Sequence, residues 1–327
     1  MNNLHGLVTM TNTEYHAGPG ISSTQLKTIG ISPLAYWDAY INPEREARKY
    51  KHCFAVGDGT HKLVLEPGTF EHTYAVGFDK SAYPTALDTV ADLKKALSEL
   101  NLMVSGTKPE LAARLVHEGG YDPKKIMYYL EAQHNESIKD KIAIPANDYK
   151  DMQNMLKAVW QNPIAAGLLD GGTTEESYFW TDENGILRKA RTDLITSDRD
   201  FIIDLKTTDD VSQEGFGRTI AAYGYHVSAA WYLDVLYGLY GEDAPQEYAF
   251  IAVQKKRPYD VAVHFLTQDQ IKLGRLIYKK YLRTLMDCME TGYFPGIAWD
   301  KPLEVKLPTW EMNKLEWLQG EAVANGY

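Results

Sequence analysis

The chain has 327 residues, 44% of them hydrophobic, and a formal net charge of -10. That length allows one large domain or two smaller ones, with apolar content enough for a sizeable core. No apolar run approaches membrane-spanning length, the two cysteines (Cys53 and Cys288) cannot supply the four thiolates of an iron–sulfur cluster, and the acidic balance argues against passive coating of nucleic acid.

The N-terminal Met-Asn-Asn-Leu-His-Gly has no charged region followed by an apolar one, so no signal peptide is expected. Free thiols fit a cytosolic protein. A helix is predicted to start near Ser22 or Ser23, whose hydroxyls can cap it. Ser32-Pro33 restarts a helix with proline in its first turn. Phe54 to Leu65 is a third helical pattern, closed by Pro67-Gly68, and carries His61 one turn after Gly57. Residues 81–120 change character. Apolar residues at helical spacing over 89–100 lead into a loop with Gly106, then into a short helix from Pro109 to His117. Two further helices are predicted around 123–134 and 146–160.

From Glu175 the period becomes two. Glu176, Tyr178 and Trp180 alternate with Ser177 and Phe179, and Asn184-Gly185 signals a hairpin whose second strand is Ile186–Ile195. The polar turn Ser197-Asp198-Arg199-Asp200 leads to a strand from Phe201 to Thr207. Helices are predicted at 212–222 and 226–240, strands at 247–254 and 259–266, and a long helix at 268–291. This order implies an α/β (α+β) fold, a mixed sheet flanked by helices.

The chemistry concentrates on the hairpin. Asp204 and Lys206 lie two apart on one strand and so share a face, with Asp193 one strand away. Mg²⁺ prefers oxygen ligands and keeps several waters. Asp193, Asp204 and the carbonyl of Leu205 fit that need. A metal there lowers the pKa of bound water, and Lys206 orients that water or stabilises the transition state. On the pattern alone, a surface salt bridge between strands is the better reading, because Asp-X-Lys is short. His61 is a further candidate ligand, although a lone helical histidine is more often structural. Tyr225, Trp231 and Tyr232 either line a DNA groove or form an aromatic helix face packed on the sheet. Arg191 shares the face of Asp193 and can hold a phosphate, in a cluster with Arg188 and Lys189. Lys255, Lys256 and Arg257 form a second cluster or a solvated turn before Pro258.

Together these stretches resemble the exodeoxyribonuclease VIII (RecE-type) branch of the PD-(D/E)XK nuclease superfamily. The matching pieces are Ile21-Ser22-Ser23, Ser32 to Trp37, Gly59-Thr60-His61 through Pro67, Glu175 to Trp180, Arg191–Asp193, Asp204–Lys206, Tyr225-His226-Val227, and Pro295-Gly296-Ile297 with Leu307-Pro308. The resemblance implies a restriction-endonuclease-like core. It places metal binding on His61, Asp193 and Asp204, catalysis on Lys206, and an upstream acidic position on Glu175, with Glu176 as the alternative. It implies DNA contacts from Arg191, Tyr225, His226 and Tyr232. The chain departs from the family at Thr192, where proline is common, and at Ser228, where glutamine is frequent.

The implied activity is a Mg²⁺-dependent exonuclease, with Mn²⁺ an alternative metal. It would act on double-stranded DNA ends in the 5′ to 3′ direction, leaving 3′ tails. A homo-oligomeric ring such as a tetramer, a single-strand annealing recombinase as partner, and a phage or prophage origin in a bacterial cytoplasm are implied with it. An endonuclease of the same superfamily and a non-catalytic DNA-binding accessory protein remain as alternatives. Residues 85–118 resemble a SAP motif, so residues 1–80 and 121–327 form the expected nuclease domain and 81–120 an inserted helical hairpin. Lys94, Lys95, Lys108 and Arg114 would contact phosphates there. Asp92, Glu99 and Glu110 roughly offset them, and a hairpin that only packs against the core is the alternative.

Overall fold

The computed structural model describes residues 4–45 and 52–325. Residues 1–3 and the side chain of Cys53 lie outside that description, while Cys288 is buried with a free thiol. There are eight strands among the described residues: β1 (Gly6–Val8), β2 (Tyr74–Val76), β3 (Ile142–Ile144), β4 (Thr173–Thr181), β5 (Leu187–Ile195), β6 (Phe201–Thr208), β7 (Glu247–Gln254) and β8 (Val261–Phe265). Six of them form one sheet in the order β1-β4-β5-β6-β7-β8, and β2 and β3 make a separate parallel pair. The sheet is mixed. Every neighbouring pair is antiparallel except β6 and β7, which run parallel. The helices Gln213–Tyr223 and Tyr225–Tyr240 make the crossover that a parallel pair requires.

The β4–β5 hairpin closes as its sequence dictates. Gly185 has φ +75°, which favours glycine, and Asp182 accepts from the backbone N–H of Asn184 and Ile186 at 3.0 and 2.9 Å. β7 is buried from Tyr248 to Val253, as expected of a strand covered on both faces. On one face, Leu194, Ile203, Leu205, Ile251 and Val253 pack with Ala55, Val64 and Leu65 of the His52–Leu65 helix and with Met152, Met155 and Val159 of the Ala146–Gln161 helix. On the other face, Phe216 meets Phe250 edge-on at 5.7 Å, and buried Trp231 donates its indole N–H to the Lys189 carbonyl at 3.0 Å. Trp231 is therefore part of a packed aromatic face, the second of its two readings.

The helices Val90–Glu99 and Lys108–His117 enclose a small core of Leu93, Leu97, Leu111, Leu115 and Ile126. Thr89 with Asp92, and Thr107 with Glu110, form a capping box at each helix start. The chain divides into two compact units, residues 1–24 with 47–279, and residues 25–46 with 280–327. The division does not fall at 81 and 120. The helical hairpin lies in the larger unit, together with the sheet. Within the smaller unit, Tyr36 stacks on Phe294 at 6.3 Å, and a Cβ on Gly30 would lie 2.4 Å from the Tyr281 ring.

Several elements were not anticipated: the short β1, β2, β3 and helices Asn12–Ala17 and Pro163–Leu169, and the longer helix Thr309–Asn325. The helix expected at 123–134 begins as a 3₁₀ turn over Pro123–Lys125 and continues as Met127–Ser137. Among the described residues, no helix is long and apolar enough to cross a membrane.

Candidate active site

β5 and β6 pair only at Leu194–Ile203 and Ile195–Ile202. The next opposed residues in that register are Asp193 and Asp204, at the point where the strands part. The backbone of Leu205 faces the gap. Its N–H donates to Asp193 Oδ2 at 3.0 Å, and its carbonyl lies 2.5 Å from His61 Nε2. A carbonyl only accepts, so Nε2 carries the proton. In the neutral ring, Nδ1 then turns a lone pair toward Asp193 Oδ2, 3.5 Å away. Burial, and then the charge of Lys206, pulls His61 down to about 4, so the ring is neutral at physiological pH.

Asp204 is held on both oxygens. Tyr248 donates its hydroxyl to Oδ2 at 3.0 Å, and the Lys206 ammonium bonds to Oδ1. Lys206 Nζ also lies 5.3 Å from the centroid of the Tyr225 ring, within cation–π range. Burial disfavours the ammonium, but the charges of Asp204 and Asp193 outweigh it and hold Lys206 above its ordinary value. Lys206 is therefore a cation, suited to stabilising charge rather than taking a proton. Burial, and then the nearby Asp204 charge, pushes Asp193 well up. Burial pushes Asp204 up as well, but Lys206 and a hydrogen bond with Asp193 bring it below the usual range. The two carboxyls titrate as a pair, with Asp193 the one held high.

Glu175 completes the group. The β4–β5 ladder pairs Thr174 with Leu194 and Glu176 with Thr192, which leaves Glu175 opposite Asp193. Its φ of +56° is left-handed, at a cost of about 1–2 kcal/mol for a residue with a Cβ. Arg191 Nε donates to the Glu175 carboxylate at 2.8 Å, and its NH1 reaches Ser177 Oγ at 2.6 Å. Glu176 instead accepts from Thr173 and Tyr178 at 3.0 and 2.5 Å, so Glu175 is the one that lines the cleft. Burial raises the Glu175 carboxyl, opposed by Arg191.

His61, Glu175 and Asp193 each offer one donor atom, and the three atoms lie within 4.8 Å of one another. That spacing and donor set fit one divalent cation, the oxygens suiting Mg²⁺ and the imidazole suiting Mn²⁺ as well. Asp204 and the Leu205 carbonyl, both expected as ligands, stand beside this trio, engaged with Lys206 and Tyr248 and with His61 respectively.

The site opens into a cleft of about 1270 Å³, whose lining includes Lys62, Arg191, Tyr223, Tyr225, Tyr232 and Lys255. Burial, and then the Asp204 charge, pushes the Tyr232 phenol up to about 12, so it acts only as a neutral group. His226 is not in the lining. A Cβ on Gly274 would come within 2.1 Å of its carbonyl oxygen. Ser228 is buried. Lys94, Lys95, Lys108 and Arg114 lie on the helical hairpin and do not line the cleft either. Lys94 and Lys95 are exposed, Lys108 bonds to Asp88 at 2.9 Å, and Arg114 ties down the carbonyls of Met103 and Ser105 at 2.7 and 2.8 Å.

Two of the basic residues expected near phosphate support the fold instead. Arg188 pairs with Asp182 and lies 5.0 Å from the rings of both Trp180 and Trp231. Lys189 donates to the carbonyls of Tyr15 and Gly18 at 2.8 and 2.7 Å. Lys256 pairs with Asp151 at 2.5 Å. Tyr248 was missed. The available signal was a tyrosine in an otherwise apolar buried strand, since a buried phenol needs a partner.

A mixed sheet with Asp193 and Asp204-Leu205-Lys206 on parted strands, an acidic residue upstream and helices on both faces defines the PD-(D/E)XK class. The chain belongs to the family described as a PDDEXK-like domain of unknown function (DUF3799), whose profile matches residues 22–298. Among solved structures it is similar to a candidate exonuclease from Eubacterium rectale, at 12% identity and a TM-score of 0.39, over 72% of this chain and 95% of that one. It is also similar to a phage-related exonuclease from Haemophilus somnus 129PT, at 15% identity and a TM-score of 0.27, over 71% and 94%. A search of curated proteins finds no match.

Proposed function

We propose that the chain is a divalent-metal-dependent DNA exonuclease that cuts from double-stranded ends in the 5′ to 3′ direction and leaves 3′ tails for phage-type recombination. The observation that carries this reading is a protonated Lys206 held at Asp204, beside three donors within reach of one cation. His61, Glu175 and Asp193 would hold the metal, which when bound supplies an activated water and neutralises phosphate charge. Lys206 stabilises the charge that develops on the phosphate oxygens. Asp204 keeps Lys206 aimed at the site, and Tyr248 fixes Asp204. Arg191 positions Glu175.

The polarity, the ring-shaped homo-oligomer, the annealing recombinase as partner and the cytoplasm of a bacterial host as the place of action all follow from the resemblance to the exodeoxyribonuclease VIII branch. Digestion of linear duplex in Mg²⁺ tests the core of the reading. Lys206→Ala and Asp204→Ala should each lose at least ~100-fold in rate, as expected when a charge-stabilising group is removed. Undiminished activity in both variants would sink the site assignment. Covalently closed circular DNA should stay intact, and its cleavage would make the protein an endonuclease. End-labelled duplex reads the polarity, and sizing in solution reads the ring.

A further inference from the structure

Lys206 lies beneath the Tyr225 ring, and Tyr225 in turn is stacked on Tyr223, with centroids 5.6 Å apart and planes within 18°. Tyr223 ends one helix and Tyr225 begins the next. Gly224 between them has φ +61° and ψ 41°, the left-handed conformation that favours glycine. The Tyr-Gly-Tyr turn therefore fixes two rings face to face in the wall of the cleft. Tyr223 is 64% exposed, so this column runs from the Lys206 ammonium to a ring that solvent reaches.

Resting on the nuclease reading above, we infer that Tyr223 is a positioning residue whose exposed ring stacks the unpaired terminal base of the substrate strand. Every base has a π-face, so such a platform grips without reading sequence. Within a duplex, both faces of an internal base are covered by its neighbours. In an unpaired strand the bases are free to stack on a side chain.

The test uses oligonucleotides carrying 2-aminopurine at the terminal position, either in an unpaired overhang or in a blunt duplex, with Ca²⁺ in place of Mg²⁺. The wild type should quench the unpaired probe more strongly than the paired one. Tyr223→Ala should remove that quenching and weaken binding of the unpaired end by about 5- to 100-fold, and Tyr223→Trp should restore both. In Mg²⁺, the loss in Tyr223→Ala should fall on KM more than on kcat. Equal quenching by wild type and Tyr223→Ala, or failure of Tyr223→Trp to restore it, overturns the platform. These outcomes separate from the nuclease reading. Cleavage with unaltered quenching in Tyr223→Ala sinks the platform and leaves the nuclease standing. Quenching that depends on Tyr223 in a protein that cuts nothing supports the platform and sinks the nuclease.

Discussion

At the scale of single residues, Asp193 and Asp204 face one another across the gap, and burial with the Asp204 charge holds Asp193 well above the ordinary carboxylate range. A cation in the trio of His61, Glu175 and Asp193 needs Asp193 as a carboxylate, so it competes with a proton there. Metal affinity should therefore fall as pH drops from the raised value of Asp193 toward the ordinary carboxylate range, near 4. Calorimetric titration of Mg²⁺ in two buffers of different ionisation enthalpy measures the proton released. Binding without proton release across this range would remove the premise. The sign for metal-free stability follows. A carboxyl whose folded pKa is raised favours the fold while protonated, and that contribution is lost as pH rises through the folded value. His61 acts in the opposite sense. Its folded value of about 4 lies below the unfolded one, so its contribution is lost as pH falls from about 6.5 to about 4. Lys206 provides a separate handle. With side chains 24% and 10% exposed, Lys206 and Asp204 form a pair whose breakage costs about 3 kcal/mol. Lys206→Ala should lower the Tm of the metal-free protein. Mg²⁺ should raise it by more in the variant than in the wild type, because the cation replaces a missing counter-charge. Equal gains in thermal melts would show that Lys206 does not offset the carboxylates.

At the scale of elements, β5 carries a defect that can be tested. Thr192 is fully buried, and its hydroxyl has no hydrogen-bond partner among the described residues. A buried orphan hydroxyl costs about 1–3 kcal/mol, and valine has nearly the same shape. Thr192→Val should stabilise the fold by about 1 kcal/mol, a Tm gain of a few degrees by calorimetry. A lower Tm would mean that water satisfies this hydroxyl. The same strands show what is legible in the sequence. The two-residue period of a strand puts Asp204 and Lys206 on one face, and the β5–β6 register adds Asp193 to it. The His52–Leu65 helix is equally legible, because its period extends over several turns. The choice of Glu175 over Glu176 is not, since it turns on a left-handed backbone at Glu175 that no local preference signals. Nor is Tyr248, whose bond to Asp204 crosses 44 residues of sequence through the parallel pairing of β6 with β7. Arg188 and Lys189 look like a phosphate patch in sequence because Trp231 and the Tyr15 and Gly18 carbonyls that help enclose them come from distant parts of the chain. β1, β2 and β3 have three residues each, too few for any period to show.

At the scale of the whole molecule, a net charge of -10 must be reconciled with a polyanionic substrate. The cleft does not resolve the conflict by being basic. Its lining includes four Lys and Arg side chains against seven Asp and Glu. Each of the four cations already has an acidic partner: Lys62 with Glu66, Arg191 with Glu175, Lys206 with Asp204, and Lys255 with Asp209. A phosphate entering the cleft must compete with those carboxylates, and it meets a lining in which acidic side chains outnumber basic ones. A divalent cation changes that balance by drawing Glu175 and Asp193 to itself and turning the site attractive. DNA retention should therefore depend on the metal and only weakly on counterion release. In gel-shift measurements, duplex should be retained in Ca²⁺ and released in EDTA. The slope of log K against log salt should be no steeper than about -4, since at most the four cleft cations can each displace a counterion. Tight retention in EDTA at physiological salt, or a much steeper slope, would move the DNA-binding surface out of the cleft. The exposed Lys94 and Lys95 on the helical hairpin would then be the first residues to substitute.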